Sequence, residues 1–388
     1  MKWRHLMTEL KHSLVALFFA FTFLVSAPLL ADGRSIPITA PVHHVFLIVL
    51  ENEPYELTFG PQTNAPYLSR ELAPRGALLT EYYAIGHNSL DNYVALISGQ
   101  GPNPATQTDC QNFVNFHATA KQLDSNGQLL GQGCVYPSSV RTVTDQMRRA
   151  GLSWKGYMEG MGNNPRRESA HCGHAAIGST DQTYRETLTD RYADKHNPFV
   201  YFHSIIDDAG YCGEHIVPLD ALRNDLAQAS STPNLVFITP DLCHDGHDAP
   251  CLNGEKGGMV SADAFLRDWV PRITESPAFK QDGVLIITFD EGTDAKACCG
   301  EQPLRGGPLP GQYGPGGGRI GAVLLSPFIK PGTVSNTPYN HYATLRSMET
   351  WFGLSYLGYA GQPQLHTFGS DVFTNAMLSG ALSETTGQ

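Results

Sequence analysis

Two short apolar runs, each closed by acidic residues, constrain this chain more than any other feature. Val45-Phe46-Leu47-Ile48-Val49-Leu50 runs straight into Glu51-Asn52-Glu53, and Val284-Leu285-Ile286-Ile287-Thr288-Phe289 into Asp290-Glu291. An unbroken apolar stretch of this length reads as a strand covered on both faces, the mark of a parallel sheet. Leu235-Val236-Phe237-Ile238 repeats the pattern and ends at Thr239-Pro240-Asp241. Further strands are expected at 76–83, 153–158, 199–202 and 320–325. Helices are expected at 65–73, 140–150, 219–230, 260–273 and 342–352. The alternation predicts an α/β fold with a mainly parallel central sheet flanked by helices. Ligands of such sheets bind beyond the carboxyl ends of the strands, where these acids fall.

Thirty-nine glycines and 26 prolines imply long shaped loops, notably 159–193 and 300–318. Residues 1–31 read as an export signal: Lys2, Arg4 and Lys11, an apolar core from Leu14 to Val25, then small residues up to Ala31. The core is too short for a stable membrane anchor. The remaining 32–388 is expected to be one catalytic domain, secreted or periplasmic. Its formal charge of −13, against −11 for the whole chain, excludes a nucleic-acid surface. All eight cysteines lie after the signal. An even count in an exported chain suggests disulfides bracing the loops. Nearest-neighbour pairing gives Cys110–Cys134, Cys172–Cys212 and Cys243–Cys251, and leaves Cys298 and Cys299 adjacent.

Gly86-His87-Asn88-Ser89-Leu90-Asp91-Asn92-Tyr93 leads from a polar loop into an apolar helix. A hydroxyl at a helix start can cap it, the common use of Ser there. It can also meet a phosphate at free N–H groups and attack it. Glu51, Asn52, Asp290 and Glu291 would converge as hard oxygen donors for Mg²⁺, Ca²⁺ or Mn²⁺, with Zn²⁺ needing mixed ligands. Asp241, His244, Asp245, His247 and Asp248 crowd into eight residues, a density that suits metal ligation or acid catalysis. His196 precedes an expected strand, and His341 opens the last helix.

Together these segments resemble the bacterial phosphoesterase family of secreted acid phosphatases and phospholipases C, within the alkaline-phosphatase-like superfamily. The markers are Leu50-Glu51-Asn52, His87 to Tyr93 with Ser98-Gly99, Lys195-His196-Asn197-Pro198-Phe199, Ile238 to Asp241 with Asp245-Gly246-His247-Asp248, Thr288 to Glu291, and His341-Tyr342 with Leu345. The resemblance implies Ser89 as nucleophile. It implies one divalent metal ion held by Glu51, Asn52, Ser89, Asp290 and Glu291. His196 and His247 would bind phosphate or protonate the leaving group, while Asn92, Asp245 and His341 would contact substrate. The implied substrates are small phosphate esters or phospholipid head groups, phosphatidylinositol 3-phosphate among them, with phospholipase C-type diester cleavage as the alternative. Asp91 replaces the family's usual proline and is expected to place negative charge beside the nucleophile. A scaffold that binds without turnover is the third reading.

Overall fold

The computed structural model describes residues 41–300 and 302–373; the expected signal, 1–31, lies outside them. Eight strands form the central sheet: β1 His44–Leu50, β2 Ala77–Leu79, β3 Trp154–Met158, β4 Ile216–Pro218, β5 Leu235–Thr239, β6 Gly283–Phe289, β7 Ala322–Leu325 and β8 Thr333–Ser335. Their order is β8-β2-β7-β6-β1-β5-β3-β4. Only β7 runs against the rest, pairing antiparallel with both β2 and β6. Every residue of β1, β5 and β6 is buried, as their continuous apolar character requires. Each fully buried branched side chain there contributes about 1.5–3 kcal/mol.

The principal helices are α1 Ser89–Ser98, α2 Val143–Ala150, α3 Gly258–Glu275, α4 Pro277–Asp282 and α5 His341–Trp351. α1 is buried along its whole length and packs against α5. It stops at Gly99, φ 67, where a Cβ would stand 2.3 Å from the Leu357 carbonyl oxygen. α2 starts with a capping box, in which Thr142 accepts from Asp145 N–H and Asp145 accepts from Thr142 N–H.

Several expected elements differ. Residues 199–202 are no strand: Pro198–Tyr201 forms a 3₁₀ turn. The helix expected at 65–73 is a π-helical turn, Tyr67–Leu72, whose Tyr67 and Leu68 N–H groups both donate to the Asp263 carboxylate. The helix at 219–230 shrinks to a 3₁₀ turn and one α-turn ending at Asp225. The strand expected across 76–83 divides: Tyr82–Tyr83 leaves β2 and pairs with Tyr339–Asn340 in a separate ribbon. The four disulfides are Cys110–Cys134, Cys172–Cys212, Cys243–Cys251 and the vicinal Cys298–Cys299. Among the described residues, no helix is long and apolar enough to cross a membrane.

Candidate active site

Register puts the acids side by side. Leu50 pairs with Phe289, so Glu51 and Asp290 leave neighbouring strands at the same level, and Asp290 N–H donates to the Leu50 carbonyl. Asn52, at φ 54, turns its backbone N–H onto Asp290 Oδ1 at 2.9 Å and its amide onto Glu51 Oε2 at 2.9 Å. The loop after β5 brings Asp245, whose carbonyl accepts from Glu51 N–H. A 3₁₀ turn, Asp194–His196, brings His196, which stacks on Tyr93 of α1 with ring centroids 5.3 Å apart.

Glu51, His196 and Asp245 each offer one ligand atom, all within 4.8 Å of one another, and all three residues are buried. Asp245 Oδ2 and Asp290 Oδ2 are buried with no hydrogen-bond partner. Glu51 Oε1 and His196 Nε2 press on each other without hydrogen-bond geometry. Burial is the largest influence on all three carboxylates and works against ionisation. The His196 and Lys195 charges nevertheless hold Glu51 well below the ordinary range. Asp245 and Asp290 are pushed well above it, by burial and then by repulsion from Glu51. Buried acceptors left unpaired are rare. This set fits one hard cation with oxygen-rich ligation.

Ser89, 2% exposed, is the first residue of α1. Lys195 Nζ lies 3.5 Å from Ser89 Oγ and 3.5 Å from Asp109 Oδ2. Burial alone would depress the Lys195 pKa, but Glu51, Asp109, Asp290 and Asp245 hold it well above its ordinary value. Asp109 Oδ1 accepts from Leu90 N–H at 3.0 Å. His247 stands at the rim, its side chain 55% exposed and Nδ1 3.6 Å from Glu51 Oε2. The Glu51 contact is the main force raising its pKa.

Glu291 Oε2 is taken by His87 Nδ1 and Asn88 N–H, which leaves its other oxygen for the acid set. Other expected residues point elsewhere. Asn92 is committed to backbone, accepting from Ile85 and Gly86 N–H and donating to the Gly86 and Asn88 carbonyls. Its amide therefore braces the loop and has nothing left for a substrate oxygen. His341 is wholly buried between Tyr82 OH at 3.2 Å and the Asp290 carbonyl at 2.7 Å. Burial pushes its pKa down to about 4. Asp245 belongs with Glu51 and His196 and lies at the floor. Asp241 and His244 split from Asp245 and His247, joining Glu159, Arg191 and Glu255 in a separate ion network. Asp91 is buried against Gly86, where a Cβ would meet its Oδ2 at 2.7 Å. Burial, then Glu291 and Asp109, push Asp91 well above the carboxylate range, toward its neutral form.

Lys195 stood in the quoted motif beside His196 but carried no assigned role. Asp109 had no signal beyond its place before Cys110.

The Phosphoesterase family model matches residues 58–355. An acid phosphatase of Aspergillus fumigatus is 26% identical over 314 residues, covering 81% of this chain and 55% of its own. A phosphatidylinositol-3-phosphatase of Mycobacterium tuberculosis is 23% identical over 317 residues, covering 82% of this chain and 79% of its own. The chain spans little more than half the length of the fungal relatives it matches. A solved alkaline phosphatase superfamily protein from Vibrio parahaemolyticus aligns over 84% of this chain and 71% of its own, at 12% identity and TM-score 0.47. Relatives include fungal proteins, so the kinship reaches beyond the bacterial grouping expected from the motifs. The chain belongs to the Phosphoesterase family.

Proposed function

We propose that the protein is an exported phosphoesterase that hydrolyses phosphomonoesters through a phosphoserine at Ser89. The carrying observation is the buried set of unpartnered acceptors, Glu51, Asp245 and Asp290 with His196, together with a Ser89 hydroxyl 3.5 Å from Lys195, the cation on which the same acids act. Glu51, Asp245, Asp290 and His196 would hold one divalent cation, with Asn52 and the Ser89 oxygen as further donors. That cation supplies Lewis-acid charge to developing negative oxygens.

The protein groups do the rest. Ser89 releases its proton to solvent, and its oxygen attacks phosphorus. The Oγ–P bond forms as the ester P–O bond breaks, and the leaving oxygen takes a proton from His247. A raised pKa and a place at the rim suit His247 as that acid. In the second half, His247 takes a proton from water, the water oxygen attacks the phosphoserine, and the P–Oγ bond breaks to release phosphate.

The relatives named as acid phosphatases and as a phosphatidylinositol-3-phosphatase support a monoester substrate. The Mycobacterium relative points to phosphoinositide monoesters within that class. Four disulfides support an oxidising compartment. Ser89→Ala, shown folded by circular dichroism, should lose hydrolysis of 4-nitrophenyl phosphate. Retained hydrolysis refutes the nucleophile. A wild-type preference for 4-nitrophenyl phosphorylcholine would favour the phospholipase C reading.

A further inference from the structure

We infer that Lys195 is a catalytic residue, the second cation of the nucleophile: its ammonium carries charge on the Ser89 oxygen where two-metal phosphoryl-transfer sites place another metal. This rests on Ser89 being the nucleophile. Lysine is almost never buried without a partner, and Lys195 is 8% exposed. Among the described residues, both of its polar contacts are 3.5 Å long, to Ser89 Oγ and Asp109 Oδ2. A charged N–H···O⁻ bond closes to about 2.7–2.9 Å, so both contacts have room to shorten, the Ser89 one as its oxygen becomes anionic. A donor that binds the transition state better than the ground state accelerates the chemical step.

The surroundings hold that aim. One 3₁₀ turn delivers both Lys195 and His196, so the ammonium and one member of the candidate metal set come from the same segment. The Tyr184 ring lies 5.4 Å from Nζ on the loop side. Asp109 Oδ2 lies 3.5 Å from Lys195 Nζ while its Oδ1 accepts from Leu90 N–H at 3.0 Å, linking the ammonium to the first turn of α1. Asp109 acts through Lys195 and is a positioning residue. Through both half-reactions Lys195 keeps its protons and donates N–H to Oγ. The Oγ–P bond forms and breaks beside it, and proton traffic runs through His247 and water.

The test uses the full metal-loaded protein and 4-nitrophenyl phosphate. Lys195→Met should lower kcat about 10²–10³-fold, with KM changed far less and bound metal unchanged. Lys195→Arg, which keeps the charge, should stay at least tenfold above Lys195→Met. Melting temperature checks the fold of each variant. Should Lys195→Met fail to fold, Asp109→Asn takes its place, and a kcat drop of about tenfold at constant KM is expected. A folded Lys195→Met within threefold of wild type, or one whose loss tracks lost metal, overturns the inference. So does a folded Asp109→Asn with unchanged kcat in that second arm. Ser89→Ala run in parallel separates the failures. If it is active, the nucleophile reading falls; if it is inactive while Lys195→Met is active, only the lysine role falls.

Discussion

Replacing Asp245 by Asn should make the metal-free protein more stable and the metal-loaded protein less so. Asp245 Oδ2 is a buried acceptor with no partner, facing Glu51 and His196. Such a group costs about 1–3 kcal/mol. An asparagine amide turns that edge into a donor toward Glu51 and removes the carboxylate repulsion that raises Asp245. For a chain of this length each kcal/mol moves the melting temperature by roughly 2 °C, so chelated Asp245→Asn should melt about 2–6 °C above chelated wild type. Metal at a hundredfold excess over its Kd adds about 2.7 kcal/mol to wild type, and the variant should lose most of that gain. The pH dependence has a definite sign. Asp245 and Asp290 have raised folded pKa values. The metal-free fold therefore keeps protons that the unfolded chain releases, and its stability falls as pH rises above the ordinary carboxylate range. Metal displaces those protons, so the gap between loaded and chelated melting temperatures should widen from pH 5 to pH 8. Scanning calorimetry at matched rates, with and without chelator, reads all of this. The reasoning is refuted if chelated Asp245→Asn melts at or below chelated wild type, or if metal stabilises both equally.

Two further outcomes follow from buried polar groups away from the acid set. Glu349 in α5 is fully buried, accepts from Leu357 N–H at 2.9 Å, and is pushed by burial up to about 9. Its folded pKa exceeds the unfolded value, so stability is lost as pH climbs from about 4.5, reaching about 3 kcal/mol by pH 7. Glu349→Gln should flatten the melting temperature between pH 5 and 9, and parallel curves would count against the assignment. Asn92→Asp loses both donor bonds, to Gly86 and Asn88, and buries a carboxylate. It should destabilise the fold by about 2–4 kcal/mol, read in urea; a variant that melts like wild type but shows a raised KM would instead make Asn92 a substrate ligand.

What the sequence disclosed follows the strength of its local signals. β1, β5 and β6 were legible because their side chains are buried on both faces, and Glu51 and Asp290 because acids directly follow them. Phe199 to Phe202 was misread for a related reason. A short, wholly buried apolar run has no period to tell strand from turn. Here Pro198 opens a 3₁₀ turn whose Phe199 packs edge-on to Phe237 and against Trp154. β4, three residues long, left no pattern to find. At the site, spacing identified which residues come close but not which way they face. Asn92 and His341 sit near Ser89 and Asp290, yet backbone groups claim the amide and the imidazole, and no pattern in the sequence announces such bonds. Lys195 meets Ser89 from 106 residues away along the chain and Asp109 meets Leu90 from 19, distances over which local chemistry is silent.

The cap reading of Ser89 can be decided on where the helix's orphan N–H groups go. A capping Ser precedes the helix and accepts from a backbone N–H two or three residues on. Ser89 is inside α1, and the N-cap is Asn88, which makes no side-chain cap bond. Leu90 N–H is satisfied by Asp109 instead. Helix initiation is thus delegated to a distant carboxylate, which leaves the Ser89 hydroxyl facing an ammonium. Asn88 itself sits at φ 76, a conformation that costs a non-glycine residue about 1–3 kcal/mol. It is held there on three sides: its N–H donates to Glu291, its side chain to the Gln107 carbonyl, and its own carbonyl accepts from Asn92. A plain cap needs none of this. Strain held by Glu291, by Gln107 and by Asn92 of the helix itself, immediately before a buried hydroxyl, supports the proposed nucleophile over the cap.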